Sequence, residues 1–139
     1  MKAYANYLQQ QLSDSSPEDL LLQLMNGAIV KMHQARESWQ DGLYERAREL
    51  RCRALDIVMY LQNTLDRDKS PDIADQLDPL YTFMIQELNR AALEDDFERL
   101  QPVQDILETM YRGWQEAVAE YKSSFAPPQS SARQAVAAL

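Results

Sequence analysis

The chain has 139 residues, with 14 Lys and Arg against 22 Asp and Glu, a formal net charge of −8 and a single cysteine. That length serves one domain with its own core, and the negative charge opposes nonspecific binding to nucleic acid or to anionic membrane. Cys52 alone forms no internal disulfide, Met1-Lys2-Ala3-Tyr4 does not begin a secretion signal, and no run approaches the ~20 apolar residues that span a bilayer, so a soluble cytoplasmic protein is expected.

Residues 1 to 12 carry Tyr4, Tyr7, Leu8 and Leu12 on one helical face. So short a helix is marginal alone in water and forms when that face docks, as a permanent fifth helix or as a removable lid. After Ser13-Asp14-Ser15 comes a helix start: Ser16 as N-cap, Pro17 at the first helical position, and Glu18 and Asp19 complementing the dipole. Leu21, Met25, Ala28, Met32, Ala35 and Trp39 then follow a 4-3-4-3-4 spacing on one stripe, and Asp41-Gly42 supplies the stop.

A second helix is expected over about Tyr44 to Asp66, with Ala47, Leu50, Ala54, Ile57 and Leu61 inside and Arg46, Arg48, Arg51 and Arg53 interleaved with Glu45 and Glu49 outside. A third is expected over Asp72 to Leu93, with Ile73, Leu77, Leu80, Met84 and Leu88 as its core face; Pro79 predicts a kink there, or a break with a new start capped by Asp78. The last is expected from Asp96 to Lys122, with Leu100, Val103, Leu107, Met110, Trp114, Ala117 and Tyr121 inside. Pro102 separates or bends its first turn around Phe97, and Gly113 suggests a close helix approach. Ser123 onward is small, polar and broken by Pro127-Pro128, the composition of a disordered tail.

With three Gly, six Pro and no β-branched runs, the chain is predicted to be all-α. The architecture expected is an antiparallel up-and-down four-helix bundle over residues 1–122, with a short N-terminal helix and a disordered C-terminal tail over 123–139. Catalytic chemistry finds little support. One histidine, His33, excludes a two-His metal site, and no phosphate-binding Gly loop or nucleophile elbow is present. A lone helical histidine in a bundle accepts a phosphoryl group in principle, which makes a phosphotransfer role for His33 the alternative reading. Cys52 between Arg51 and Arg53 reads as a small buried or half-buried side chain, because neighbours at ±1 diverge on a helix.

The order of elements resembles the FliS-type flagellar export chaperones over roughly residues 3 to 118. The landmarks are Tyr4 and Tyr7; Ser16-Pro17 with Leu20; Leu24 and Asn26-Gly27-Ala28; Thr64-Leu65-Asp66; Ile73-Ala74 and Leu77; Leu80-Tyr81 with Met84; Leu88 and Ala91; and Trp114 with Ala117. The resemblance implies a cytosolic binding protein, not an enzyme, with no cofactor and no small-molecule substrate. It holds the disordered C-terminal region of flagellin, prevents premature polymerisation, keeps the client competent for type III secretion, and contacts the export-gate membrane protein.

On that footing Tyr4, Tyr7 and Leu8 are candidates for a lid over a groove. Asn26 and Gly27 line a groove or serve a close helix contact. Asn63, Leu65, Asp66, Leu80 and Tyr81, at one end of the second and third helices, are groove candidates, with Leu65 and Leu80 equally readable as core.

Overall fold

Capping decides where the first helix begins. The Ser16 Oγ accepts a hydrogen bond from the Asp19 backbone N–H at 3.2 Å, Pro17 occupies the first helical position, and α1 runs Pro17–Gln40. It ends on Gly42, whose φ of +80° suits a residue without Cβ; Gly42 N–H donates to the Trp39 carbonyl at 3.1 Å and Leu43 N–H to that of Ser38 at 2.8 Å. The computed structural model describes residues 16–123. The expected N-terminal helix with Tyr4, Tyr7 and Leu8, and the expected tail beyond Ser123, lie outside them.

The remaining elements are α2 (Tyr44–Asn63), α3 (Pro71–Leu93), a 3-10 turn (Phe97–Arg99) and α4 (Leu100–Ser123). The described residues are all helix and connection, arranged as the expected antiparallel bundle. α1 packs chiefly against α2 and also against α4, α2 packs against α3, and α3 meets the 3-10 turn but touches α4 more sparsely. The α3 to α4 corner repeats the chemistry of the first one. Asp96 N–H donates to the Ala91 carbonyl at 3.0 Å, with Asp95 at a φ of 50° in the place Gly42 holds.

The stripes expected on α1 and α2 form the core. Leu21, Met25, Ala28, Met32 and Ala35 are buried against Ala47, Leu50, Ala54, Ile57 and Leu61, while Trp39 is half-buried. On α4, Leu100, Val103, Leu107, Trp114 and Val118 are buried, with Met110 and Ala117 only partly so. The side chain of Tyr121 lies outside the described residues.

Four expectations are corrected. The core face of α3 is Ala74, Tyr81, Met84, Leu88 and Ala91, whereas Ile73 and Leu77 are half-buried and Leu80 is 37% exposed. The helix turns its other flank to α2, because Gln62 Nε2 on α2 donates to Asp78 Oδ1 and to Thr82 Oγ1, both at 2.9 Å. Of the two outcomes expected at Pro79 the break is absent: α3 runs from Pro71 to Leu93, Pro79 is exposed, and the carbonyl left without its N–H partner four residues earlier belongs to exposed Asp75. Asp78 therefore caps nothing and instead binds Gln62 and Arg67. Gly113 makes no close helix contact, since a Cβ added there meets nothing within 4 Å. Finally, Arg51 is not a free member of the solvated arginine face; its Nη1 donates to the Leu88 carbonyl at 3.2 Å.

Pro102 falls in the first turn of α4, where its missing N–H costs nothing, and Phe97 belongs to the separate 3-10 turn as expected.

Candidate functional site

At the corner where α3 hands over to α4, polar and aromatic contacts clamp the bundle. Arg99 lies 3.0 Å from Glu87 and 2.6 Å from Glu94, and Glu87, only 8% exposed, depends on that guanidinium to be buried as a charge. Glu98 accepts from Gln40 at 3.0 Å and from Arg36 at 3.1 Å, contacts that hold its carboxyl below the usual carboxylate range and tie the turn to α1. Phe97 stacks on Trp39 with centroids 4.4 Å apart and planes 4° from parallel, and Arg48 caps the Trp39 ring at 5.4 Å.

Beyond that clamp the α3–α4 seam is different. At ~100° per residue, Ile73, Leu80 and Phe83 lie along the flank of α3 that turns toward α4, with Leu77 on the adjoining core stripe, and Ile106, Met110, Gly113 and Ala117 lie along the facing flank of α4. None of the eight is fully buried; Phe83 is 39% exposed, and Gly113 opens onto free space. The two helices meet sparsely: Leu77, Ile106 and Met110 pack against the edge of the core while Leu80 and Phe83 stay exposed, which leaves an apolar strip along the seam, the candidate groove. Further exposed apolar groups stand on the outside of α1 and α2, namely Val30, Tyr44, Met59 and Tyr60.

The residues singled out from sequence are distributed unevenly with respect to this groove. Leu80 stands on its wall. Leu65, 6% exposed, and Tyr81, with no exposure, belong to the core; the Tyr81 hydroxyl has no hydrogen-bond partner, and burial pushes its pKa up. Asn26 and Asn63 are exposed, Asp66 is half-buried, and Gly27 has Ile57 Cδ1 3.6 Å from where its Cβ would stand, an ordinary helix contact across α1 and α2. Tyr4, Tyr7 and Leu8 lie outside the described residues.

Of the wall residues sequence reasoning assigns only Leu80 to binding; it reads Ile73, Leu77, Met110 and Ala117 as core and Gly113 as a close contact, and leaves Phe83 and Ile106 unassigned. The signal available was their position beside the stripe rather than on its centre. His33 does not acquire the setting of a phosphoryl acceptor. Its Nε2 sits 3.3 Å from Glu37 Oε1, an acid that repels phosphate, and Arg36, the cation on its face, is engaged by Glu98 and Gln104.

The family model described as "Flagellar protein FliS" matches residues 1–121. The flagellar secretion chaperone FliS of Vibrio cholerae is 33% identical over 111 residues, covering 80% of this chain and 82% of that protein. The flagellar secretion chaperone FliSB of Pseudomonas aeruginosa is 30% identical over 118 residues, covering 82% and 94%. FliS of Salmonella typhimurium is 29% identical over 118 residues, covering 84% and 87%. The family match over residues 1–121 and the relative of 33% identity place this chain in the FliS family of flagellar secretion chaperones, and the all-helical bundle of the described residues is consistent with it.

Proposed function

We propose that this chain acts in the cytoplasm as a binding protein, not an enzyme, for the disordered C-terminal region of flagellin. It occupies the apolar faces through which that region would polymerise, and it delivers the client to the export-gate membrane protein for type III secretion. The observation that carries this reading is the α3–α4 seam, walled by Ile73, Leu77, Leu80 and Phe83 on one side and Ile106, Met110 and Ala117 on the other. An amphipathic helix docks in such a groove through anchors spaced at three and four residues.

The magnitudes favour a long contact. Each Leu-sized anchor gains ~1.5–3 kcal/mol on burial, while ordering a disordered segment costs about 2–5 kcal/mol. Micromolar affinity needs about 8 kcal/mol net, after rigid-body entropy is overcome. About six anchors or more are required, which calls for an extended contact rather than a single pocket. Titration calorimetry of the full chain with a peptide spanning the flagellin C-terminal region is expected to give at least micromolar binding. No heat at high micromolar concentration contradicts the proposal.

A further inference from the structure

We infer that residues 3–12 form a fifth helix seated in the outer furrow between α1 and α2, with Lys2 at its head against Asp56. The occupant is this chain's own first segment, so the inference does not rest on the α3–α4 strip. Tyr4, Tyr7 and Leu8 are then the inner face of a docked helix.

Two helices that touch closely define the furrow. Ile57 Cδ1 on α2 lies 3.6 Å from where a Cβ on Gly27 of α1 would stand, so at that level α1 adds no side chain and the floor is low. By helix geometry Asp56 and Tyr60 stand on the flank of α2 outside Ile57, roughly 160° and 120° round from Ala54, with Met59 on the outer crest, and Val30 stands roughly 160° round α1 from Ala28. Val30, Met59 and Tyr60 are each more than a third exposed. Asp56 differs. It points away from the buried stripe yet is half-buried, and its Oδ2 is closed off from solvent with no hydrogen-bond partner. Arg53, one turn earlier, is held by Glu49 at 2.6 Å. Burial pushes the Asp56 carboxyl above its ordinary value, and the positive charge at the head of the chain draws it part of the way back. A carboxylate oxygen shut away in this manner is stabilised by a cation beside it.

Residues 1–15 supply that cation, and their length brings it to the right place. Lys2 is the only Lys or Arg among them and Asp14 the only acid, so the segment is positive at its head and negative at its hinge. Because α1 and α2 run antiparallel, the start of α1 at Pro17 lies beside the end of α2 at Asn63. A chain that turns at Ser13-Asp14-Ser15 and runs back as a helix rises ~15 Å between residues 12 and 2, and Gly27 lies ~15 Å along α1 from Pro17. Lys2 is thereby level with Gly27 and Ile57, next to Asp56, while Tyr4, Tyr7 and Leu8 are level with Met59 and Tyr60. Lys2 precedes the first turn, so its side chain is free of the helical repeat that fixes the two tyrosines. The unpaired N–H groups of that first turn add positive charge at the same place. Gly27 serves both uses that its sequence position suggested, a close helix contact below and the floor of a groove above.

The test uses the full chain and needs no client. Carbodiimide coupling joins a carboxylate to an amine, with loss of water, only where the two meet, and peptide mass mapping reads the bond; Lys69 and Asp66, 3.9 Å apart, are the internal control. The expected product joins Lys2 to Asp56 within one chain. The control bond without that product overturns the proposal, as does Lys2 joined instead to Asp72 or Asp75. A Lys2–Asp56 bond found only between two chains also overturns it, giving the furrow to a second copy. Amide hydrogen exchange supplies the second reading. Residues 4–12 are expected to be protected, about tenfold less in Met59→Ser with Tyr60→Ser and about fivefold less in Asp56→Lys, with Lys2→Glu on the Asp56→Lys background restoring most of the loss. No protection in the unmodified chain, or no rescue by the exchanged charges, defeats the inference.

Discussion

Along α1 and α2, Met25, Ala28, Met32, Ala35, Ala47 and Ala54 have no solvent exposure, while along α3 and α4, Leu80 and Phe83 keep more than a third of theirs. The residue types on the two seams overlap heavily. What differs is the distance of approach that they allow. Four alanines on the first seam bring backbones together, and the interlocking methionines fill what remains. On the second seam the large side chains stand on the flanks, and the helices are held at one end by Arg99 and Glu87, with the Phe97–Trp39 stack tying the turn to α1. A seam clamped at one end and apolar beyond it is what the proposed client site requires.

Truncation within the tight seam should have the largest effect. Met32→Ala is expected to cost about 2–5 kcal/mol of folding stability, measured by denaturant unfolding, because it leaves a cavity among groups with no exposure. It should leave the affinity of the folded protein for client unchanged. On the loose seam the pattern inverts. Leu80→Ala with Phe83→Ala should cost only about 1 kcal/mol of stability, yet weaken client binding about tenfold or more by calorimetry. Equal losses of stability at the two seams would erase the contrast.

Gly113 sharpens the comparison from the other side. Its Cβ direction is open, so Gly113→Ala should raise the melting temperature, by about 1 kcal/mol of helix propensity, where a packed glycine would show a loss. The smallest effect expected is in acid. Hydrogen bonds from Arg67 and Gln62 hold the Asp78 carboxyl below its ordinary value, so its contribution is present above the unfolded carboxylate pKa and is lost as pH falls through the lowered folded one. Asp78 is solvent-accessible, so Asp78→Asn should flatten the acid limb of the stability profile only slightly.

Helix existence, order and caps were legible in the sequence because they depend on local chemistry: Ser16 and Pro17 at one end of α1, Gly42 at the other, and the Ala- and Met-bearing stripes between. The rotation of α3 was not. Ile73-Leu77-Leu80-Met84-Leu88 and Ala74-Tyr81-Met84-Leu88-Ala91 both satisfy a helical repeat and share Met84 and Leu88, and the choice between them lies in tertiary contacts such as those of Gln62 on another helix. The same ambiguity hid the groove. An apolar stripe announces that something covers it, without saying whether the cover is a neighbour in the chain or a visitor. Gly113 was misread for a related reason, since a glycine in a helix signals room and not who fills it.

The most direct measurement of the central claim is a backbone amide NMR titration of the full chain with the flagellin C-terminal peptide. The shifts expected to move are those of residues 72–84 in α3 and 106–120 in α4, with the buried seam of α1 and α2 still. Perturbations confined to α1 and α2, with the α3–α4 flanks unchanged, would contradict it.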